Sequence, residues 1–373
     1  MCQPKTVSRI LRPLIKYPGG KDKELSIIAP RIPEMVANYY EPFFGGGAVY
    51  FALMPGDEKY INDKSSDLTN FYTCVKNRNK TMYRELAKWN DIWKKMAEDA
   101  ATNMDYLRRQ FESGDEIDIE NELLKSILND KFLHIRKKAA ECGEVRDFED
   151  NIEAAYKQTA YTMARAEYNK RKRYDGVRAA LFVIMRQYAF SGMFRYNANG
   201  DFNIPYGGVA YNDKYLDERI ETMKSTIVRK AFRKTVIGNM DFLEFMRSYP
   251  PENDDFVFLD PPYDTEFSSY ENNSFDRGDQ SRLADYLINE CKGRWMLVIK
   301  ATDFIRSLYE LGTPCANGDK VHIFEFDKRY DVCILGRNKQ SVEHLLITNY
   351  DTKEDAPDTN ETEVEANGEA CGS

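Results

Sequence analysis

Asp260-Pro261-Pro262-Tyr263 sets a carboxylate, two imino acids and a phenol ring in four consecutive positions. Proline fixes φ and has no N–H, so Pro261 and Pro262 contribute only carbonyl acceptors between the Asp260 carboxylate and the Tyr263 ring. A primary amine on a flat ring suits this set: its hydrogens go to Asp260 and the Pro261 carbonyl, and its ring stacks on Tyr263. The preceding apolar run Phe256-Val257-Phe258-Leu259 reads as a buried strand that runs out into a loop where the motif begins. In an open α/β sheet that carboxyl end is where ligands bind. A plain strand followed by a proline turn is the bland alternative, because short motifs recur by chance.

A second signal is Tyr39-Tyr40-Glu41-Pro42-Phe43-Phe44-Gly45-Gly46-Gly47-Ala48-Val49-Tyr50. Three glycines after an aromatic strand permit positive φ and close backbone approach to a ligand. The spacing is not that of a dinucleotide fingerprint, and no Gly-Lys-Ser/Thr makes a phosphate loop, so a phosphate-free nucleoside cofactor fits better. Asp63 follows the next strand, Tyr60-Ile61-Asn62, where an acidic residue usually accepts ribose hydroxyls. As the cap of a helix beginning near Leu68, Asp67 or Ser66 fits better than Asp63. Upstream, Lys16-Tyr17-Pro18-Gly19-Gly20-Lys21 flanks a Pro-Gly-Gly turn with two lysines that can hold a carboxylate, and Tyr17 can stack on a base.

These segments together resemble the signature of the Dam-like family of S-adenosylmethionine-dependent DNA adenine methyltransferases, the Asp-Pro-Pro-Tyr type. The resemblance resumes at Arg195-Tyr196-Asn197, Gly200, Phe202-Asn203, Pro205-Tyr206-Gly207 and Asn273-Ser274-Phe275, and covers about two thirds of the chain. It implies site-specific transfer of a methyl group from S-adenosyl-L-methionine to the exocyclic amino group of an adenine flipped out of double-stranded DNA. Lys16, Tyr17, Gly20, Lys21, Glu41, Pro42, Phe43, Gly45 and Gly47 would then hold the cofactor, together with Asp63, Asp241, Phe242 and Asp260. Asp260, Pro261, Pro262 and Tyr263 would hold the target adenine. Asp241 reads equally well as the N-cap of a helix over 242–248.

Phe190, Arg195, Asn197 and Asn203 fall in the stretch that reaches DNA in that family. A guanidinium such as Arg195 can make two hydrogen bonds to a guanine edge in the major groove. Phe190-Ser191 departs from the Tyr-Asn of the best-known members, so the resemblance does not extend to the target sequence or to the filling of the gap left by a flipped base. Phe190 is a wedge for the base stack, or Phe190 and Phe194 are simply core. The resemblance further implies a cytoplasmic, bacterial or phage-type setting, with a cognate restriction endonuclease as a candidate partner. Rival readings are a cytosine amino methyltransferase, against which Asp260 argues because those enzymes resemble a Ser-Pro-Pro-Tyr pattern; an amino methyltransferase of RNA or another planar amide or amine; and a catalytically decayed DNA-binding relative, against which the intact motifs argue.

Composition agrees with a soluble intracellular enzyme. At 373 residues the chain can bury a large core and carry a second domain. No stretch reaches the length of a membrane span, and the N-terminus has no signal-peptide core. Seven scattered cysteines and three histidines indicate neither a disulfide framework nor a metal site. The net charge is −8, but residues 351–373 hold eight acidic side chains against Lys353 alone, which leaves the body near −1. That tail is expected to be disordered. Lys170-Arg171-Lys172-Arg173, with Arg165 and Arg178 nearby, is the candidate basic face, and Tyr168 and Tyr174 add aromatic neighbours.

The elements that must position these residues follow from periodicity. Residues 10–75 read as the first part of a Rossmann-like methyltransferase sheet, 76–215 as a mainly helical insertion and target-recognition region, and 216–350 as the second part of the catalytic domain. Breaks between the inserted helices are expected at Gly114-Asp115 and Gly143-Glu144. The fold class expected is α/β, with a mostly parallel sheet closed by a C-terminal antiparallel hairpin.

Overall fold

The computed structural model describes residues 10–263, 275–329 and 341–352. Asn273, Ser274 and the tail from residue 353 onward, with its expected disorder, lie outside the described residues.

Helix α1 (Leu25–Ile28) precedes β1 (Asn38–Glu41), and α2 (Ala48–Leu53) leads to β2 (Glu58–Asn62) and α3 (Ser66–Lys76). A helical stretch follows: α4 (Lys80–Thr102), α5 (Met104–Ser113), α6 (Glu122–Cys142), α7 (Phe148–Lys170) and α8 (Gly176–Tyr188). The chain returns to the sheet through α9 (Asp217–Lys224), α10 (Thr226–Ala231), β3 (Thr235–Gly238), α11 (Phe242–Ser248) and β4 (Phe256–Leu259). Helix α12 (Arg277–Asn289), β5 (Arg294–Lys300), α13 (Asp303–Leu308), β6 (His322–Arg329) and β7 (Ser341–Thr348) complete it. Helix ends follow local chemistry: Asn79, Asn121 and Asp175 cap α4, α6 and α8 through their side chains. Gly114 and Gly143, both at positive φ, terminate α5 and α6 at the expected breaks.

The strands form one sheet in the order β3-β2-β1-β4-β5-β7-β6. Pairings among β1 to β5 are parallel, whereas β7 runs antiparallel to both β5 and β6. Side chains alternate between the two faces: Phe256 and Phe258 enter one core, Val257 and Leu259 the other. Both faces are covered by helices, which is why β4 and β5 read as continuous apolar runs rather than alternating ones. After β1 the chain moves outward through β2 to β3 on one side, and after β4 through β5 on the other. Neighbouring strands β1 and β4 therefore flank the point where the order reverses, and both of their following loops leave the same edge.

The helical region has two parts. Met82, Leu86, Trp89 and Trp93 of α4 and the apolar length of α8 share one core with the sheet. Leu107, Leu128, Phe132, Phe148 and Ile152 of α5, α6 and α7 build a separate cluster. Helices α4 and α7 contribute to both clusters and so tie them together.

Candidate active site

The glycine loop and the Asp-Pro-Pro-Tyr loop meet at the switch point, around a cavity of about 280 Å³. Its wall takes Tyr17–Lys21, Glu41–Val49, Asn62–Lys64, Met240–Phe242 and Asp260–Tyr263, with Phe194, Phe258, Phe275 and Asp279. Of the residues expected to hold a cofactor, all but Lys16 line it.

Gly47 is a backbone requirement. It stands at φ +66, and a Cβ there would lie 2.5 Å from Cζ of Phe44. The loop is fixed by Asp63, whose two carboxylate oxygens accept from the N–H groups of Gly45 (2.9 Å) and Ser65 (2.8 Å). The Tyr72 hydroxyl donates to the Gly45 carbonyl at 3.0 Å. Helix α3 begins at Ser66 and is capped by Ser65, so neither Asp67 nor Ser66 is its cap, as the sequence had suggested. Asn62 ties two other segments to β2: its amide donates to the carbonyls of Pro42 (3.2 Å) and Met240 (3.1 Å) and accepts from the Met240 N–H (3.1 Å). Asn62 and Tyr72 escape sequence reasoning because their partners are distant carbonyls; an Asn at the last position of β2 is the only local hint.

Phe43, Phe242 and Phe275 form an aromatic wall with ring centroids 5.3 to 5.7 Å apart. Asp241 caps α11 through the Leu243 N–H, one of its two expected roles, and its side of the helix end also lines the cavity. An ion pair with Arg282 of α12 (2.8 Å) holds it in place.

The two lysines of the first segment part company. Lys21 is buried, and its ammonium donates to Asp260, to the Tyr263 hydroxyl (3.0 Å) and to the Gly19 carbonyl (3.2 Å). Lys16 does not line the cavity, which corrects the expectation of a lysine pair on one carboxylate. Burial, and then the nearby Arg219, pushes its pKa down. Its backbone is tied to α8: the Lys16 carbonyl accepts from Nε (2.9 Å) and Nη2 (2.7 Å) of Arg186, a buried guanidinium lying over the rings of Tyr17 and Phe194.

The titratable groups lining the cavity are mostly acidic, Glu41, Asp63, Asp241, Asp260 and Asp279 against Lys21 and Lys64. Glu41 is buried and accepts from the Tyr39 hydroxyl at 2.8 Å. Burial pushes its carboxyl pKa well above the usual range, Asp260 and Asp63 add to the rise, and the Tyr39 bond and Lys21 oppose it. Asp63 is raised by burial against the opposing pull of its two backbone donors.

Beyond α8, the stretch expected to reach DNA forms a loop closed by bridges between Ala189 and Tyr206 and between Tyr196 and Phe202. Phe190 and Phe194 separate: Phe190 is 46% exposed, while Phe194 is core and lines the cavity. Arg195 is exposed, with Nε 3.3 Å from Oδ1 of Asn203. Asn197 shapes the turn, its Oδ1 accepting from the N–H groups of Asn199 (3.0 Å) and Asp201 (2.9 Å). The basic run shrinks as a surface. Arg178 is buried in an ion pair with Asp67 of α3, Arg165 donates to the Ile204 carbonyl, and Arg171 pairs with Asp175. Lys172 and Arg173 remain well exposed.

A seven-stranded, mostly parallel sheet of this order, with a cavity at its switch point, has the architecture of the Rossmann-like methyltransferase fold. Residues 17–323 match the family model of the D12 class N6 adenine-specific DNA methyltransferases, and the chain belongs to that family. It is similar to the type II methyltransferase M.CviBI of Paramecium bursaria Chlorella virus NC1A, 26% identical over 91% of this chain and 100% of that protein. It is also similar to the type II methyltransferase M.MjaIII of Methanocaldococcus jannaschii, 29% identical over 91% of this chain and 99% of the relative. The DNA adenine methylase of Vibrio cholerae is 25% identical over 90% of this chain and 95% of its own length. Among the described residues no helix is long and apolar enough to cross a membrane.

Proposed function

We propose that the cavity holds S-adenosyl-L-methionine and that the Asp260–Tyr263 loop receives an adenine turned out of duplex DNA at a specific sequence. The observation that carries this reading is the meeting of the glycine loop, the Tyr17–Lys21 segment and the Asp-Pro-Pro-Tyr loop around one cavity. The donor set fits the cofactor: acidic groups suit its ammonium and sulfonium charges, and the wall of Phe43, Phe242 and Phe275 suits a flat base. Glu41 and Asp63 are the groups proposed to hold its polar parts. When bound, S-adenosylmethionine supplies an electrophilic methyl group on sulfur.

The remaining chemistry belongs to side chains of this protein. Asp260 and the Pro261 carbonyl accept hydrogen bonds from the adenine amine, whose lone pair would otherwise be delocalised into the ring, and so favour a pyramidal nitrogen. Lys21 fixes the orientation of the Asp260 carboxylate. Tyr263 stacks on the extruded base and partly offsets the few kcal/mol lost on leaving the duplex. Alignment of two positioned reactants supplies much of the acceleration. Asp260 need not be a strong base, because the amine proton can leave after the new N–C bond has formed.

Purified protein incubated with labelled cofactor and duplex DNA is expected to yield labelled N6-methyladenine; label recovered in RNA or in cytosine instead would overturn the reading.

Proton linkage gives an independent check. The Glu41 pKa is raised in the free protein, and a cation bound beside it draws that pKa back down. Between the two values binding releases about one proton, so cofactor affinity rises with pH through this window. Calorimetry in buffers of different ionisation enthalpy should detect that proton, and Glu41→Gln should abolish it. Equal heats in all buffers with the wild-type protein would remove Glu41 from the site.

Arg195 is proposed to read sequence. If it pairs with a guanine edge, Arg195→Ala costs about 1–3 kcal/mol at one position of the target and relaxes preference there. Methylation rates on a panel of single-base variants measure this. Evenly weakened binding with a shallower salt slope would instead mark a phosphate contact.

A further inference from the structure

Consecutive prolines create a problem for a catalytic loop. Pro261 and Pro262 have no N–H, so their stretch of backbone can be held only through its carbonyls. The Pro261 carbonyl is the one proposed to face the substrate amine. That leaves the Pro262 carbonyl as the place to anchor the segment, and Nε2 of Gln280 in α12 donates to it at 2.9 Å.

Gln280 is fully buried. Its Oε1 has no hydrogen-bond partner among the described residues. Rotating the amide would not help, because the Pro262 carbonyl can only accept and must face the NH2 end. A buried amide with an unpaired oxygen is less stable than an apolar side chain of the same shape, so packing alone gives no reason for glutamine here. The helix that bears it is itself pinned near the cavity. Asp276 and Asp279 form a capping box at its start, Asp279 lines the cavity, and Arg282 on the next turn is ion-paired to Asp241.

We infer that Gln280 is a positioning residue for methyl transfer: by fixing the Pro262 carbonyl it sets the direction in which Pro261 presents its own carbonyl to the substrate amine. The inference rests on the function proposed for the Asp260–Tyr263 loop. Gln280 does not line the cavity; it acts through the loop.

The test is Gln280→Met, which keeps the length and loses the donor. Its kcat is expected to fall about 10- to 100-fold, as for misplacement of a reacting group by about 1 Å. KM values for cofactor and DNA should stay within about threefold. The melting temperature should be unchanged or slightly raised, since the unpaired buried oxygen has gone. Gln280→Glu adds a readout that a packing role would not move. A neutral carboxyl can donate to Pro262 and a carboxylate cannot, so activity relative to wild type should recover as pH falls. A kcat for Gln280→Met within about twofold of wild type would overturn the inference. So would a melting temperature lowered by more than about 5 °C with both KM values raised, which marks a packing residue. Asp260→Ala run alongside separates the two claims. An active Asp260→Ala protein refutes the catalytic role proposed for the Asp260–Tyr263 loop, whereas an inactive one beside a fully active Gln280→Met refutes only the role of Gln280.

Discussion

Asp260→Ala is expected to lower the methylation rate by about three or more powers of ten while leaving the fold and much of the affinity for DNA in place. Removing a single electrostatic contact typically costs about a hundred-fold or somewhat more. Here alignment fails as well, because the same carboxylate orients the amine and is tied to Lys21 and thereby to the Tyr263 hydroxyl. The substitution leaves the buried Lys21 ammonium without its carboxylate, so part of the effect is a shift of Lys21 and Tyr263. Asp260→Asn separates the two contributions: it preserves shape and one acceptor, and should fall between wild type and Asp260→Ala. Single-turnover rates with saturating cofactor and DNA measure the chemical step. A turnover within about tenfold of wild type for Asp260→Ala would sink the catalytic assignment.

The second large effect is on stability. Arg178 of α8 pairs with Asp67 of α3, with Nη2 2.8 Å from Oδ2, and both side chains are buried. The hydroxyl of Tyr168 donates to the same carboxylate at 2.7 Å, and the Tyr196 hydroxyl of the loop after α8 lies 2.9 Å from that of Tyr168. One buried carboxylate thus joins the sheet, the helical region and the loop that carries Arg195. Arg178→Met leaves the Asp67 charge buried without its cation and should cost about 3–5 kcal/mol. In a chain of this length that corresponds to a melting temperature lower by roughly 4–6 °C. Replacing both partners, as Asp67→Asn with Arg178→Met, should restore a good part of the loss, because no uncompensated charge remains. The exposed pair of Lys234 and Asp57 is the control, and Lys234→Met should leave the melting temperature unmoved. An Arg178→Met protein melting within about 2 °C of wild type would show that the pair adds nothing net.

Legibility in the sequence followed the range of the physics involved. Gly45–Gly47 and Asp260–Tyr263 were readable because glycine and proline restrict the backbone wherever they occur, and both motifs fall at the ends of apolar strands. The division of Phe256, Val257, Phe258 and Leu259 between two cores was hidden by their uniform hydrophobicity, since a strand buried on both faces has no alternation to read. Lys16 and Lys21 look equivalent in sequence; only tertiary packing turns one toward Asp260 and the other away. Phe190 and Phe194 have helical spacing, but α8 ends at Tyr188 and Ser191 adopts φ +53, so periodicity no longer says which ring is buried. Arg178 read as part of a basic surface because its partner is 111 residues earlier in the chain. Gln280 carried no signal at all and Asn62 only its place at the end of β2, as a buried amide bonded to a remote carbonyl has no local pattern.

The most direct test of the central claim is a base-resolved methylation map of DNA from cells expressing the protein, beside cells expressing Asp260→Ala. The account predicts N6-methyladenine at one recurring sequence with the wild-type protein and none at that sequence with the variant. Modification of cytosine, or an equal pattern from both proteins, would contradict it.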